Sequence, residues 1–528
     1  MQVLGTVLDT KKDFKYTIPE YYKILIELQN KSGKPIFNIK SPPGNIEVID
    51  EYWIIPGFSK IQIWRDYVEK FENNYVLIEP SISEEDYYLL NSIYNDMKRL
   101  IVLSRYSINE KKKTNIVMEA LDELIREYAL EMKPELKMKI LYYLFGNFIG
   151  FGAIDPILND KFVEDISCDG YDIPIYVFHM KHGGMRTNLK FSKNELDSLV
   201  MLLCQKSGKY ISHANPLIDA ALPDGSRLNA SYGEEITPRG SSFTIRKFRS
   251  EPFTPIDLMN FGAMNSDILA YFWLLISNKM NFMVIGETAS GKTTTLNALT
   301  MFIPPEAKVV SIEDTREIQL SHENWIAEVT RLGIEGSGEI SMYDLLKTAL
   351  RQRPDYIIVG EIRGIEAQTL FQAMSTGHSS YSTLHAGDMT QLIHRLENEP
   401  LNVPRIMIQF LDAVIIQQMW VGRGVRKRRA KEVSEIFGID PVNKNMLVNP
   451  LYKWEPSDDS FIRLSESKKL EKISEIIGED LSVVIEEKER RKLFLEKMQR
   501  KGITDHREFT RLVSMYYKNP EKAMEELE

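Results

Sequence analysis

The sequence predicts an α/β protein, and three observations carry that prediction. Strand-like and helix-like segments alternate from about residue 266 to about residue 437. Within them, NFMVIGETASGKTTTLNAL at 281–299 is an apolar strand, a glycine-punctuated turn and a good helix in direct succession. Upstream, GFGAIDPILNDKFVEDISCDG, ALPDGSRLNASY and SSFTIRKF set short β-branched runs between Gly, Asp and Pro, the texture of a smaller α+β domain.

At 528 residues the chain is too long for one hydrophobic core and divides into several domains. Its 66 Lys and Arg against 75 Asp and Glu leave a net charge of −9, which excludes a global basic field for nucleic acid, so no nucleic-acid partner is expected. Cys168 and Cys204 form no CxxC pair, which excludes a disulfide framework and a cysteine zinc site and fits a reducing cytoplasm. The start MQVLGTVLDTKKDF lacks signal-peptide order. Neither Ile140 to Ile154, which is short, nor Ile268 to Ile285, which is broken by Asn278 and Lys279, suits a bilayer. The expected location is the cytoplasm, with membrane association through partners.

Residues 1–95 mix pieces such as WIIPGF and KIQIW with turns, then enter a helix announced by Ser83-Glu84-Glu85-Asp86; they form a variable N-terminal domain. An α+β domain follows over 96–251, opening with a helix whose Val117, Leu121, Leu124 and Tyr128 share one buried face. PFTPIDLMNFGAMN at 252–265 reads as a linker, 266–454 as the α/β domain, and the charged helical tail 455–528 as a solvated appendage.

The chemistry begins at Gly286-x-x-x-x-Gly291-Lys292-Thr293. Two glycines let successive backbone N–H groups face one centre, and the following helix adds its positive end. Lys292 suits the β- and γ-phosphates of a nucleotide, and the Thr293 hydroxyl suits Mg²⁺. Hydrolysis also needs acidic groups to place Mg²⁺ and activate water. KVVSIEDTREI at 308–318 offers Glu313, Asp314 and Glu317, and PDYIIVGEIRG at 354–364 offers Glu361, with Gly360 where such strands usually carry aspartate. Carboxyl ends of parallel strands face the crevice that holds the phosphate loop, so both sets can reach one nucleotide. His378 and His385 in STGHSSYSTLHAGD read as metal ligands, a proton relay or readers of phosphate; Asp388 with His394 makes a poor zinc set. GVRKRRAK, ending a basic run over 423–431, reads as a solvated hairpin tip or as a contact for acidic lipid or protein.

In order and spacing, GETASGKT, VSIEDTREI, ALRQRPDYIIVGEIRG and STGHSSYSTLHAG resemble the Walker A, Asp box, Walker B and His box of the type II/IV secretion ATPase superfamily. EIQLSHENWIAEVTR resembles its archaeal branch, which assembles pili and archaella. The resemblance covers roughly 115–440 and implies a RecA-like motor domain with a PAS-like α+β second N-terminal domain. It implies ATP hydrolysis with Mg²⁺ by a homo-hexamer that acts on a polytopic membrane platform protein, peripheral at the inner face of the cell membrane. By the matching motifs, Gly286, Glu287, Thr288, Ala289, Ser290, Gly291, Lys292, Thr293 and Thr294 cradle the triphosphate. Glu317 activates water, and Glu361 holds Mg²⁺ together with Thr293. His378 and His385 sense the γ-phosphate side, and Arg227 and Arg246 bring guanidinium groups to the transferred phosphoryl, with Arg239 a weaker candidate. Alternative expectations are a DNA-transporting hexamer of the conjugative type and a nucleotide-gated scaffold without turnover.

Overall fold

Alternating apolar positions in the first half and continuous apolar runs in the second build two different kinds of sheet. The computed structural model describes residues 18–32, 46–66, 73–100, 110–249, 251–331, 338–422 and 425–528. The opening segment MQVLGTVLDTKKDF lies outside them, as do Arg423 and Gly424 of the basic run. The chain divides into two units, Met1–Phe248 and Arg249–Glu528.

In the first unit the described strands are β1 (Ile46–Ile55), β2 (Ser59–Asp66), β3 (Asn73–Ile78), β4 (Val163–Cys168), β5 (Tyr176–His179), β6 (Gly183–Thr187), β7 (Leu217–Ala221), β8 (Arg227–Ser231) and β9 (Ser242–Arg246). They form one sheet in the order β1-β2-β3-β6-β5-β4-β9-β8-β7, antiparallel except where β3 meets β6. The expected border at residue 95 is therefore corrected, because the N-terminal strands extend the sheet of the α+β region. Two buried carboxylates join the pieces. Asp160 accepts the hydroxyls of Tyr52 and Tyr75, each at 2.7 Å, and Asp155 accepts those of Tyr21 at 2.9 Å and Tyr22 at 2.5 Å. A phenol buried without such an acceptor would carry an unsatisfied donor, so these pairings fix the N-terminal segment in place. Their partners stand 85 to 134 positions apart, beyond the reach of local pattern. Helix Glu110–Glu127 buries Val117, Leu121 and Leu124 as expected, while Tyr128 just beyond it is exposed and donates to Asp96.

The second unit holds β10 (Phe282–Gly286), β11 (Val309–Glu313), β12 (Trp325–Val329), β13 (Tyr356–Val359), β14 (Ser379–Leu384), β15 (Ala413–Gly422), β16 (Val425–Ile439), β17 (Met446–Glu455) and β18 (Ser460–Arg463). Their order is β12-β11-β13-β14-β10-β15-β16-β17-β18. The first six run parallel and the last three close the sheet antiparallel. Every residue of β10, β11, β13 and β14 is buried, as a sheet covered on both faces requires.

Two further expectations are corrected here. The segment 252–265 is not a linker: Thr254 caps helix Pro255–Asn260, and Ile256, Leu258, Ala263 and Met264 belong to the second core. Nor is 455–528 an appendage. Helix Ser266–Ser277 is apolar on every side and buries ten of its residues, so it needs cover all round. Helices Leu481–Arg500 and His506–Lys518 give it: Trp273 lies 4.8 Å from the Tyr516 ring and 5.0 Å from the Arg491 guanidinium. Among the described residues no single helix is long and apolar enough to cross a membrane. The apolar stretch at 140–154 instead fills the first core through Ile140, Leu141, Leu144, Phe145 and Ile154.

Candidate active site

β10 delivers the chain to the phosphate loop at the carboxyl edge of the sheet. A Cβ on Gly286 would fall 2.4 Å from the Gln417 carbonyl oxygen, so no side chain fits there. Gly291 caps helix Lys292–Thr300 at φ +93°, and Ala289 adopts φ +61°, a left-handed conformation that costs a non-glycine residue energy. Inside the curl, three donors meet on the Glu287 carbonyl oxygen: Lys292 Nζ at 2.9 Å, Ser290 Oγ at 2.8 Å and the Ser290 amide at 3.4 Å. Donors gathered in this way on one oxygen are an arrangement that an anionic oxygen could also engage.

The acidic strand ends gather at the same edge. Glu313 closes β11 at 3 % exposure, and its Oε1 accepts the amides of Glu317 and Ile318, both at 2.9 Å. Burial raises its carboxyl to about 7, against the lowering effect of those two amides. Glu313 thus shapes the turn on which Glu317 sits half-exposed. The turn is also tied to the phosphate-loop helix, since the Gln319 amide donates to Asn297 Oδ1 at 3.1 Å. In the loop after the neighbouring strand β13, Arg363 bridges two carboxylates, reaching Glu361 at 2.5 Å and Asp314 at 3.5 Å. A Cβ on Gly360 would lie 3.1 Å from Glu313 Cγ, so a side chain in place of the glycine would crowd Glu313. Glu366 accepts the amides of Arg363 at 2.6 Å and Gly364 at 2.7 Å and so holds the loop that carries Glu361. Asn297, Arg363 and Glu366 were not singled out from the sequence. Arg363, two positions past Glu361, had a local signal, whereas Asn297 is tied to Gln319 across 22 positions.

The two histidines part company. β14 runs parallel to β10, so His385 leaves it at the edge where the phosphate loop begins, and Arg395 donates to the His385 carbonyl oxygen. His378 precedes the strand and lies at the opposite edge, beside the residues that lead into β10; this corrects its expected place at the nucleotide. There it lines a cleft of about 210 Å³ with Lys279, Asn281, Phe410, Asp412 and Lys472. The reason is the strand itself: six extended residues carry the chain about 20 Å across the sheet.

Asp388, weighed above with His394 as a metal set, caps helix Met389–Glu397 by accepting the Gln391 amide at 2.8 Å. Among the described residues no group of three or more His, Cys, Asp or Glu side chains is arranged to hold a metal ion by itself. Arg227 and Arg246 stand directly opposite each other on β8 and β9 of the first unit, both exposed, and Arg227 pairs through two nitrogens with Asp219, at 3.1 and 2.6 Å. Arg239 follows in the turn between these strands, where its carbonyl accepts the Tyr171 amide at 2.9 Å. Of the basic run, Lys427 and Arg429 both bind Asp459, at 2.7 Å, and hold its carboxyl well below the usual carboxylate range.

Residues 179–510 match the family described as type II/IV secretion system protein. An uncharacterized protein of Methanocaldococcus jannaschii is 37% identical over 403 residues, 75% of this chain and 72% of that one. A second from the same organism is 49% identical over 242 residues, 46% of this chain and 90% of that one. Among solved structures, the Legionella pneumophila ATPase DotB aligns with a TM-score of 0.40 at 17% identity, over 67% of this chain and 92% of that one. With the family pattern running across more than half of its length, and a relative matched over most of both sequences, the chain belongs to the type II/IV secretion system protein family.

Proposed function

We propose that the chain is an ATP hydrolase that works as a homo-hexamer to power a type IV pilus-like filament, an archaellum or a secretion system. In this reading its force acts on a polytopic membrane platform protein at the inner face of the cell membrane. The second unit is the RecA-like motor, and the α+β part of the first is the PAS-like partner domain. The observation that carries the proposal is the bridge of Arg363 between Glu361 and Asp314, which joins the acidic ends of β13 and β11 at the edge where the phosphate loop opens.

The donors gathered on Glu287 O fit the oxygens of a triphosphate, with Lys292 as the mobile charge. Thr293 and Glu361 would hold Mg²⁺ in company with those phosphates, where it would supply positive charge to the triphosphate. Glu317, half-exposed on a turn that Glu313 holds from within, takes the proton of the attacking water as its oxygen bonds to the γ-phosphorus and the bond to the leaving ADP oxygen breaks. His385 senses the γ-phosphate side. Arg227, whose guanidinium Asp219 holds, and Arg246 opposite it serve the phosphoryl group on domain closure.

Phosphate release by wild type, Lys292→Ala and Glu317→Gln tests the assignment. Both variants are expected to lose about a hundredfold or more in kcat. Glu317→Gln is expected to keep its affinity for a fluorescent ADP analogue while Lys292→Ala loses it. A wild type no faster than Lys292→Ala would overturn the proposal.

A further inference from the structure

β15 and β16 form a hairpin that rises past the end of β10. Gly286 pairs with Gln417, and Arg428 pairs with Met419 two residues farther along. Arg428 therefore stands about 7 Å above the end of β10, level with the phosphate loop. It touches the loop at two points. Its Nε donates to the Ala289 carbonyl oxygen at 3.0 Å, and its Cδ lies 3.4 Å from where a Cβ on Gly291 would be. The stem of the side chain thus packs over Gly291 while the guanidinium grips Ala289.

Ala289 is the loop residue for which the curl is costly, at φ +61° without being glycine. In a trans peptide the carbonyl and the following N–H point in opposite directions. Holding the Ala289 oxygen toward Arg428 therefore turns the Ser290 amide the other way, into the group of donors that meets on Glu287 O. The hairpin side is anchored in turn. Lys427 and Arg429, on the alternate face of β16, both bind Asp459, and Arg429 also donates to the Phe261 carbonyl at 2.9 Å.

We propose that Arg428 is a positioning residue of the nucleotide site, which braces the Ala289 to Ser290 peptide so that the loop's inward donors are set for the triphosphate. The inference rests on the proposed ATP reading of the phosphate loop and extends it to the basic hairpin. A charge-assisted hydrogen bond of this kind corresponds to about tenfold or more in affinity.

The test uses the full chain as wild type, Arg428→Ala, Arg428→Lys and Lys292→Ala. Each is titrated with a fluorescent ADP analogue, assayed for steady-state phosphate release and melted thermally. Arg428→Ala is expected to weaken ADP binding and raise KM for ATP about tenfold or more, with kcat within about threefold and an unchanged melting temperature. Arg428→Lys, which keeps the stem and a charged donor, is expected to recover most of the loss. A wild type that binds no more nucleotide than Lys292→Ala sinks the ATP reading and this inference together. A wild type that binds, with Arg428→Ala binding equally well, sinks the inference alone. Loss of affinity accompanied by a lowered melting temperature in both Arg428 variants would also overturn it, since the residue would then be a scaffold contact only.

Discussion

Glu313 has one oxygen engaged by two amides and the other, Oε2, buried without a hydrogen-bond partner, so the site stores a carboxyl that resists ionisation. Its value near 7 stands above the ordinary 4.5, and the folded chain keeps a proton that the unfolded chain has released. The stability this gives is full below about pH 4.5 and is lost as pH rises through about 7. Wild type is expected to lose about 2 to 3 kcal/mol over that interval from this group. Glu313→Gln, which cannot titrate, is expected to lack that portion of the slope. Urea unfolding of both proteins at several pH values between about 5 and 8 checks it, and Glu79, also raised to about 7 by burial, contributes equally to both curves. Identical slopes would refute the assignment. The same residue bears on Gly360, since a side chain there would press on Glu313, its Cβ falling 3.1 Å from Glu313 Cγ.

Elements decide which residues meet. The turn after β11 reaches the phosphate-loop helix through Asn297, so Asn297→Ala is expected to loosen Glu317 and lower kcat about tenfold, while affinity for the ADP analogue holds within about twofold. Equal losses in both would instead mean that the helix itself had moved. β14 separates the two histidines by its own length. His378→Ala is therefore expected to leave phosphate release within about twofold of wild type, whereas His385→Ala lowers it. A collapse of activity on replacing His378 would contradict the strand direction described here.

At the scale of the whole molecule, the C-terminal helices complete the second core. Glu435, fully buried in β16, accepts the Tyr271 hydroxyl at 2.8 Å and the Lys468 amide at 2.8 Å, which caps helix Lys468–Ile477 and ties it to helix Ser266–Ser277. Phe494, Phe509 and Tyr516 then close over Trp273 and Phe302. Truncation after residue 464 is expected to give aggregated or unfolded protein, and Trp273→Ala in the full chain to cost about 3 to 5 kcal/mol in denaturant unfolding. A truncated chain that stays monomeric and melts like wild type would show these helices to be dispensable.

The sequence by itself determined the phosphate loop, the acidic strand ends and the α/β alternation, because each is encoded within a few consecutive residues whose spacing fixes local geometry. It also announced the helices over 481–500 and 505–517, found at Leu481–Arg500 and His506–Lys518. Only the tertiary structure decided that Tyr52 and Tyr75 bring the N-terminal strands to Asp160, that the charged tail buries Trp273, and that His378 stands across the sheet from the phosphate loop. Those outcomes depend on strand order and on satisfying buried polar groups between distant segments, and neither is written in any local run of residues.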